Sequence, residues 1–145
     1  MFAECTIMTD QDEEAWCDER RSEVLKYLER SSFQHGEVGE WPAWHIAPYV
    51  SVWAIESVVA PGNVGWWALC GDLPTDYCAA NDCHSPREAV AKIARTWLRS
   101  VAETLPGDMT LQGLGLDASL GPMLASRANA LLDWEQDPAI WAEDR

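Results

Sequence analysis

Residues 66–88 read WWALCGDLPTDYCAANDCHSPRE, a stretch that gathers several of the side chains able to do chemistry. Cys70, Cys78, Cys83 and His84 are donors of the kind that hold zinc. Their spacing suits it poorly. Cys78 and Cys83 are separated by four residues, at the edge of the C-x2-4-C knuckle range, and the adjacent Cys83 and His84 are hard to aim at one ion. The reading is therefore no metal and no other cofactor, with these four residues as the weaker alternative. Adjacency also counts against Cys83 as a nucleophile with His84 as its base, since such pairs are brought together by the fold. The same spacing permits a Cys78–Cys83 disulfide outside the cytosol.

Asp72 and Asp76 in GDLPTD are a second candidate set. Two carboxylates at a strand end can supply a general acid and base, or hold Mg²⁺. Turn chemistry competes with that, because an aspartate beside Pro74 can bond to backbone two residues on. No HExxH, nucleophile elbow or phosphate loop occurs in the chain to strengthen an enzyme reading, so the turn reading is preferred. The third set is aromatic. Trp41, Trp44, Trp66 and Tyr77, with His45, are candidate binding residues, since such side chains anchor protein interfaces or stack on sugars. Trp66 and Trp67 are neighbours on an expected strand and must point to opposite faces, so at most one lines the main core.

These residues have to be positioned by the elements around them. Thr9 or Asp10 caps an expected helix running to about Ser31, whose stripe of Trp16, Cys17, Val24, Leu25 and Leu28 is narrow. Residues 32–45, with two glycines and a proline, read as an ordered loop holding Trp41 and Trp44. From Ile46 to Val59 the chain is apolar on both faces of an expected central strand, with Tyr49, Ser51, Trp53 and Ile55 alternating with Val50, Val52 and Ala54. Ala60-Pro61-Gly62-Asn63 is a turn, and residues 65–73 return as a second, antiparallel strand. Ser85-Pro86-Arg87-Glu88 is a helix start: a capping serine, a first-turn proline and a glutamate three residues after the cap. Val90, Ile93, Ala94, Trp97, Leu98 and Val101 then repeat at helical spacing, ending at Leu105-Pro106-Gly107. A Gly-rich loop over 107–117 leads to a last helix from Ser119 to Trp134, followed by a coda that docks through Ile140 and Trp141. The expected fold is α+β, a small antiparallel hairpin or sheet with helices packed on it, in the order α-β-β-α-α.

Composition bounds the function. The 145 residues suit one domain, with 1–8 expected to be disordered and Met8 a second candidate start. Ten basic residues against 24 acidic ones give a net charge of −14, the wrong sign for nucleic acid or an anionic membrane surface. A basic protein partner is electrostatically favoured. Residues 1–40 are the acidic extreme, with eleven acids and four bases, while residues 81–105 are slightly basic. No apolar run approaches a membrane span, and the N-terminus lacks a signal-peptide pattern, so the expected location is the cytoplasm. Five cysteines, an odd number, are expected there as free thiols.

HGEVGEWPAWHIAPYVSVWAIES, GWWALCGDLPTDY and HSPREAVAKIARTW together resemble a small bacterial family known as domain of unknown function 4826. The resemblance covers roughly residues 12–104, is expected to extend over the whole chain, and implies a compact bacterial α+β domain. It brings no activity, ligand or catalytic residue. In the family pattern Asp72, Pro74, Asp76 and the HxPREA start are motif positions, whereas Cys78 and Cys83 are not, which counts against cysteine chemistry. The expected function is a non-enzymatic, acidic protein-binding module of the immunity, antitoxin or inhibitor type. The alternative is a hydrolase or carbohydrate-acting enzyme using Asp72 and Asp76 beside a cleft lined by Trp41 or Trp44.

Overall fold

A computed structural model describes residues 9–31, 34–103 and 121–141. The expectations for 1–8, for the helix end at Leu105-Pro106-Gly107, for the loop at 107–117 and for the start of the final helix at Ser119 lie outside them. Among the described residues, three helices and a four-stranded antiparallel sheet follow one another as α-β-β-β-β-α-α, an α+β fold with two more strands than expected. The chain divides into two compact units, residues 1–75 and 76–145.

In the first unit, α1 (Asp10–Glu29) starts at a complete capping box. Thr9 Oγ1 accepts from the Asp12 amide at 3.0 Å, and the Asp12 carboxylate accepts from the Thr9 amide at 3.4 Å. Asp10, Asp12 and Glu13 oppose the positive end of the helix dipole. Trp16, Cys17, Val24 and Leu28 form the narrow buried stripe. Two arginines widen it. Arg20 lies over the Trp16 ring, 5.4 Å from its centroid, and pairs with Glu23 at 3.2 Å. Arg21 donates to the Gly39 carbonyl at 2.7 Å and the Val38 carbonyl at 2.9 Å, holding the segment that precedes the sheet.

That segment is more regular than a loop. Gly36 and Gly39 amides donate to the Glu56 and Ala54 carbonyls, and Val38 bridges Ile55. The strands are β1 (Trp44–Ile46), β2 (Val50–Glu56), β3 (Val64–Gly71) and β4 (Leu73–Ala79), neighbours in that order. The single strand expected from Ile46 is thus two. Ala47 to Tyr49 turn the chain between β1 and β2, with the Tyr49 amide donating to the Ile46 carbonyl at 2.7 Å. Tyr49 therefore leaves the strand and is half exposed. The turn at residues 60–63 forms as expected, closed by Asn63 N–H to Ala60 O at 3.1 Å, with Gly62 at φ +92°.

A second correction concerns GDLPTDY. It reads as a turn, but only Gly71 and Asp72 redirect the chain, and the rest is β4. Gly71 has φ +147°, and a Cβ there would collide with the Tyr49 carbonyl oxygen and sit 2.9 Å from Val50 Cα. The sheet order leaves β4 last, where Pro74 is tolerated because an edge position does not need its amide.

β2 is the centre of this unit. Trp53 pairs with Ala68, Val52 with both Trp44 and Leu69, and Ile55 with Trp66. Val50 and Val52 on one face, and Ser51, Trp53 and Ile55 on the other, are all fully buried. Ser51 is the one buried polar residue among them. Its hydroxyl donates to the Cys70 carbonyl at 3.1 Å and accepts the Trp53 indole N–H at 2.9 Å.

In the second unit, α2 (Pro86–Glu103) and α3 (Gly121–Glu135) run antiparallel, since Arg87 at the start of one reaches Glu135 at the end of the other. Ala89, Val90, Ile93, Ala94 and Trp97 are buried on α2, and Leu124, Ala128 and Leu131 on α3. Arg87 donates to the Glu135 carbonyl at 2.9 Å, placing a cation at the negative end of α3. The expected coda docks through Trp141, which is buried and donates its indole N–H to the Trp134 carbonyl at 2.9 Å.

Ser51→Ala leaves the Trp53 indole N–H buried without its acceptor, so a stability loss of about 1–3 kcal/mol is expected. Urea unfolding should show a lower midpoint at unchanged slope; an unchanged midpoint would mean the hydroxyl is dispensable.

Candidate functional site

His45 is where the first unit gathers its polar and aromatic side chains. β1 places the imidazole on the face of the sheet that carries Ser51, Cys70 and Trp53, because His45 pairs with Ser51 and Ser51 with Cys70. Helix α1 covers that face, and Cys70 Sγ–H donates to the Arg20 carbonyl at 3.5 Å. The His45 ring stacks on Trp16, 6.3 Å between centroids at 28°. Trp41 meets it edge-on, at 5.5 Å and 87°. Glu13, in the first turn of α1, accepts a hydrogen bond from His45 Nε2. The imidazole is thus held by two indoles and a carboxylate, while the Trp41 side chain outside it stays 51% exposed.

The aromatic candidates separate by burial. Trp44 is 5% exposed and belongs to the core. Trp66 is half-buried opposite Ile55, and Trp67 is buried opposite Ala54, so the two occupy opposite faces as alternation requires. Trp41 and His45 are brought into contact, and Tyr49 is half exposed in the turn that follows β1. Tyr77 is half-buried on β4, in the other unit. Glu13, Trp16 and Arg20 complete the His45 cluster without having been candidates. Their only signal was helical spacing along α1, which leaves Trp16 and Arg20 one turn apart.

In the second unit, Asp76 accepts two hydrogen bonds, from the Tyr77 amide to Oδ1 and from the Trp97 indole N–H to Oδ2, each at 2.8 Å. Burial raises its pKa above the ordinary 3.8, opposed by those two hydrogen bonds. This is an anchor tying β4 to α2. Asp72, by contrast, is exposed, and its amide donates to the Tyr49 carbonyl at 2.9 Å.

The expected cap of α2 is present: Ser85 Oγ accepts the Glu88 amide at 3.2 Å, and the Glu88 carboxylate accepts the His84 amide at 2.7 Å. Just before it, the buried sulfurs of Cys78 and Cys83 lie 3.5 Å apart as free thiols. His84 is exposed. Cys70 bonds within the first unit, and burial pushes its thiol up to about 12. Among the described residues no group of three or more His, Cys, Asp or Glu side chains is placed to hold a metal ion. No described helix is long and apolar enough to cross a membrane.

Compared with known proteins, the chain matches the model of a family described as a domain of unknown function (DUF4826) over residues 10–141. Neither a curated protein nor a solved structure matches it.

Asp76 gives a pH test. An acid whose pKa is raised by folding holds its proton more tightly in the folded state. Its contribution to stability is therefore greatest below 3.8 and is lost as pH rises through the raised value. The stability of the wild type relative to Asp76→Asn should fall over that window and stay level above it. Denaturant titrations of both proteins at a series of pH values check this, and a difference that grows with pH would mean the hydrogen bonds outweigh burial.

Proposed function

Because the chain belongs to that family of unknown function, its role has to come from its own residues, and we propose that it is a binding module for a basic segment of a protein partner. The observation that carries this reading is Trp41, a large aromatic ring left half exposed while it is held in a T-shaped contact with His45. An interface anchor needs this combination: apolar area available to a partner, and little side-chain entropy left to lose. The surroundings supply the charge. Glu40 is the preceding residue, and Glu13 connects His45 to the acidic first turn of α1, where Asp10, Asp12 and Glu14 are exposed. A lysine or arginine approaching the Trp41 face meets both the ring quadrupole and this acidic rim. The net charge of −14 steers such a partner from a distance.

Masking the basic active site of another protein, as an immunity protein, antitoxin or inhibitor does, is the most concrete form of this role. The cytoplasm is the fitting location, since Cys17, Cys70, Cys78 and Cys83 are all free thiols. Asp76, with both oxygens committed to Tyr77 and Trp97, serves the fold in this reading.

Co-purification of tagged protein from the native host, at low and high salt, tests the proposal. A specific partner should be retained by the wild type, more strongly at low salt. Trp41→Ala, checked for native circular dichroism, should weaken it by about 2 kcal/mol, roughly 30-fold in Kd. Recovery of no partner at either salt, or unchanged affinity in the variant, would overturn it.

A further inference from the structure

The Cys78 and Cys83 pair has chemistry that the binding role does not use. Cys78 is on β4, and Cys83 is in the connection that leads into α2. Their hydrogen bonds run in one direction: Cys78 Sγ–H donates to Cys83 Sγ at 3.5 Å, and Cys83 Sγ–H donates to the Glu88 carbonyl at 3.6 Å. A disulfide requires sulfurs about 2 Å apart, so the two need to close by about 1.5 Å. Cys78 is 7% exposed and Cys83 1%, but the turn between them presents Asn81 and Asp82 to solvent. A reagent reaches the sulfurs only when that turn opens.

We propose that Cys78 and Cys83 are a redox couple, which a low-molecular-weight disulfide converts to an intramolecular disulfide pinning β4 to the start of α2. Cys83 attacks first, because it accepts the Cys78 hydrogen bond and lies in the less regular segment. Having lost its proton, it bonds to one sulfur of the reagent, and the reagent's other half leaves as a thiolate. Cys78 then loses its proton and attacks Cys83 Sγ in the mixed disulfide, expelling the second reagent thiolate. Two protein thiols are oxidised and the reagent disulfide is reduced to two thiols, which take up the two protons.

Lys92 favours the thiolate at either sulfur, but burial is the larger influence and raises both thiols. The exchange is accordingly slow at neutral pH and faster as pH rises. In a reducing compartment the resting state is the dithiol, and the disulfide reports an oxidising episode.

The test treats the full-length native protein with oxidised glutathione at neutral and mildly alkaline pH, then alkylates the remaining thiols and maps them by mass spectrometry. Before alkylation, a species lighter than the reduced protein by two hydrogen atoms is expected; after it, a Cys78–Cys83 cross-linked peptide that forms faster at the higher pH, with Cys17 and Cys70 alkylated. Cys78→Ser should stop at a glutathione adduct on Cys83, and Cys83→Ser should lose the cross-link. The proposal is overturned if both thiols remain alkylatable, if the bond forms only in urea, if it joins other cysteines, or if the adduct on wild-type Cys83 persists unresolved.

Discussion

Burial of β2 on both faces is the constraint from which most of the first unit follows. A strand without a solvent side must be apolar on both sides and must match every polar group internally. Val50, Val52, Trp53 and Ile55 satisfy the first demand, each worth on the order of 1.5–3 kcal/mol of burial. Ser51 satisfies the second. Its small hydroxyl serves Trp53 from the same strand and Cys70 from the next, so a large indole can sit inside without an orphaned donor. The same closeness restricts the neighbouring backbone: where β3 ends against Tyr49 and Val50, only a glycine fits.

The exposed surface near His45 is the other side of that economy. Helix α1 has too narrow an apolar stripe to close over the sheet by itself, and Arg20 and Arg21 extend it with their side chains. At its N-terminal end, among acidic residues that suit the helix dipole, Glu13 also meets His45 and, through it, Trp41. One set of carboxylates thereby stabilises a helix start and gives an aromatic surface its sign.

Around β4 and α2, two kinds of side-chain link lie close together in sequence. Asp76 reaches Trp97 through a 2.8 Å hydrogen bond, and Cys78 meets Cys83 through a weak one. Burial acts on both in the same direction, favouring the protonated form of carboxyl and thiol alike. The carboxylate has strong donors to offset part of that cost; the thiols, joined by weak hydrogen bonds, behave as small apolar groups until an oxidant arrives.

Much of the scaffold was legible in the sequence, because its signals are local. Ser85, Pro86 and Glu88 mark a helix start whatever surrounds them, Thr9 or Asp10 marks another, and alternation alone separates Trp66 from Trp67 and makes β2 central. The short strands β1 and β4 were not legible: three residues carry no periodicity, and Pro74 between two aspartates reads as a turn unless the strand is known to end the sheet. Nor could spacing tell Trp41 from Trp44, one half exposed and the other buried, since both stand in the same glycine- and proline-containing stretch. The pairings that define the candidate sites join residues far apart in the chain, Glu13 with His45 and Asp76 with Trp97. The sequence by itself determined which residues could form caps, strands and apolar faces. Which of the remaining polar and aromatic side chains meet was decided by tertiary packing, because those contacts exist only once separate elements have been brought together.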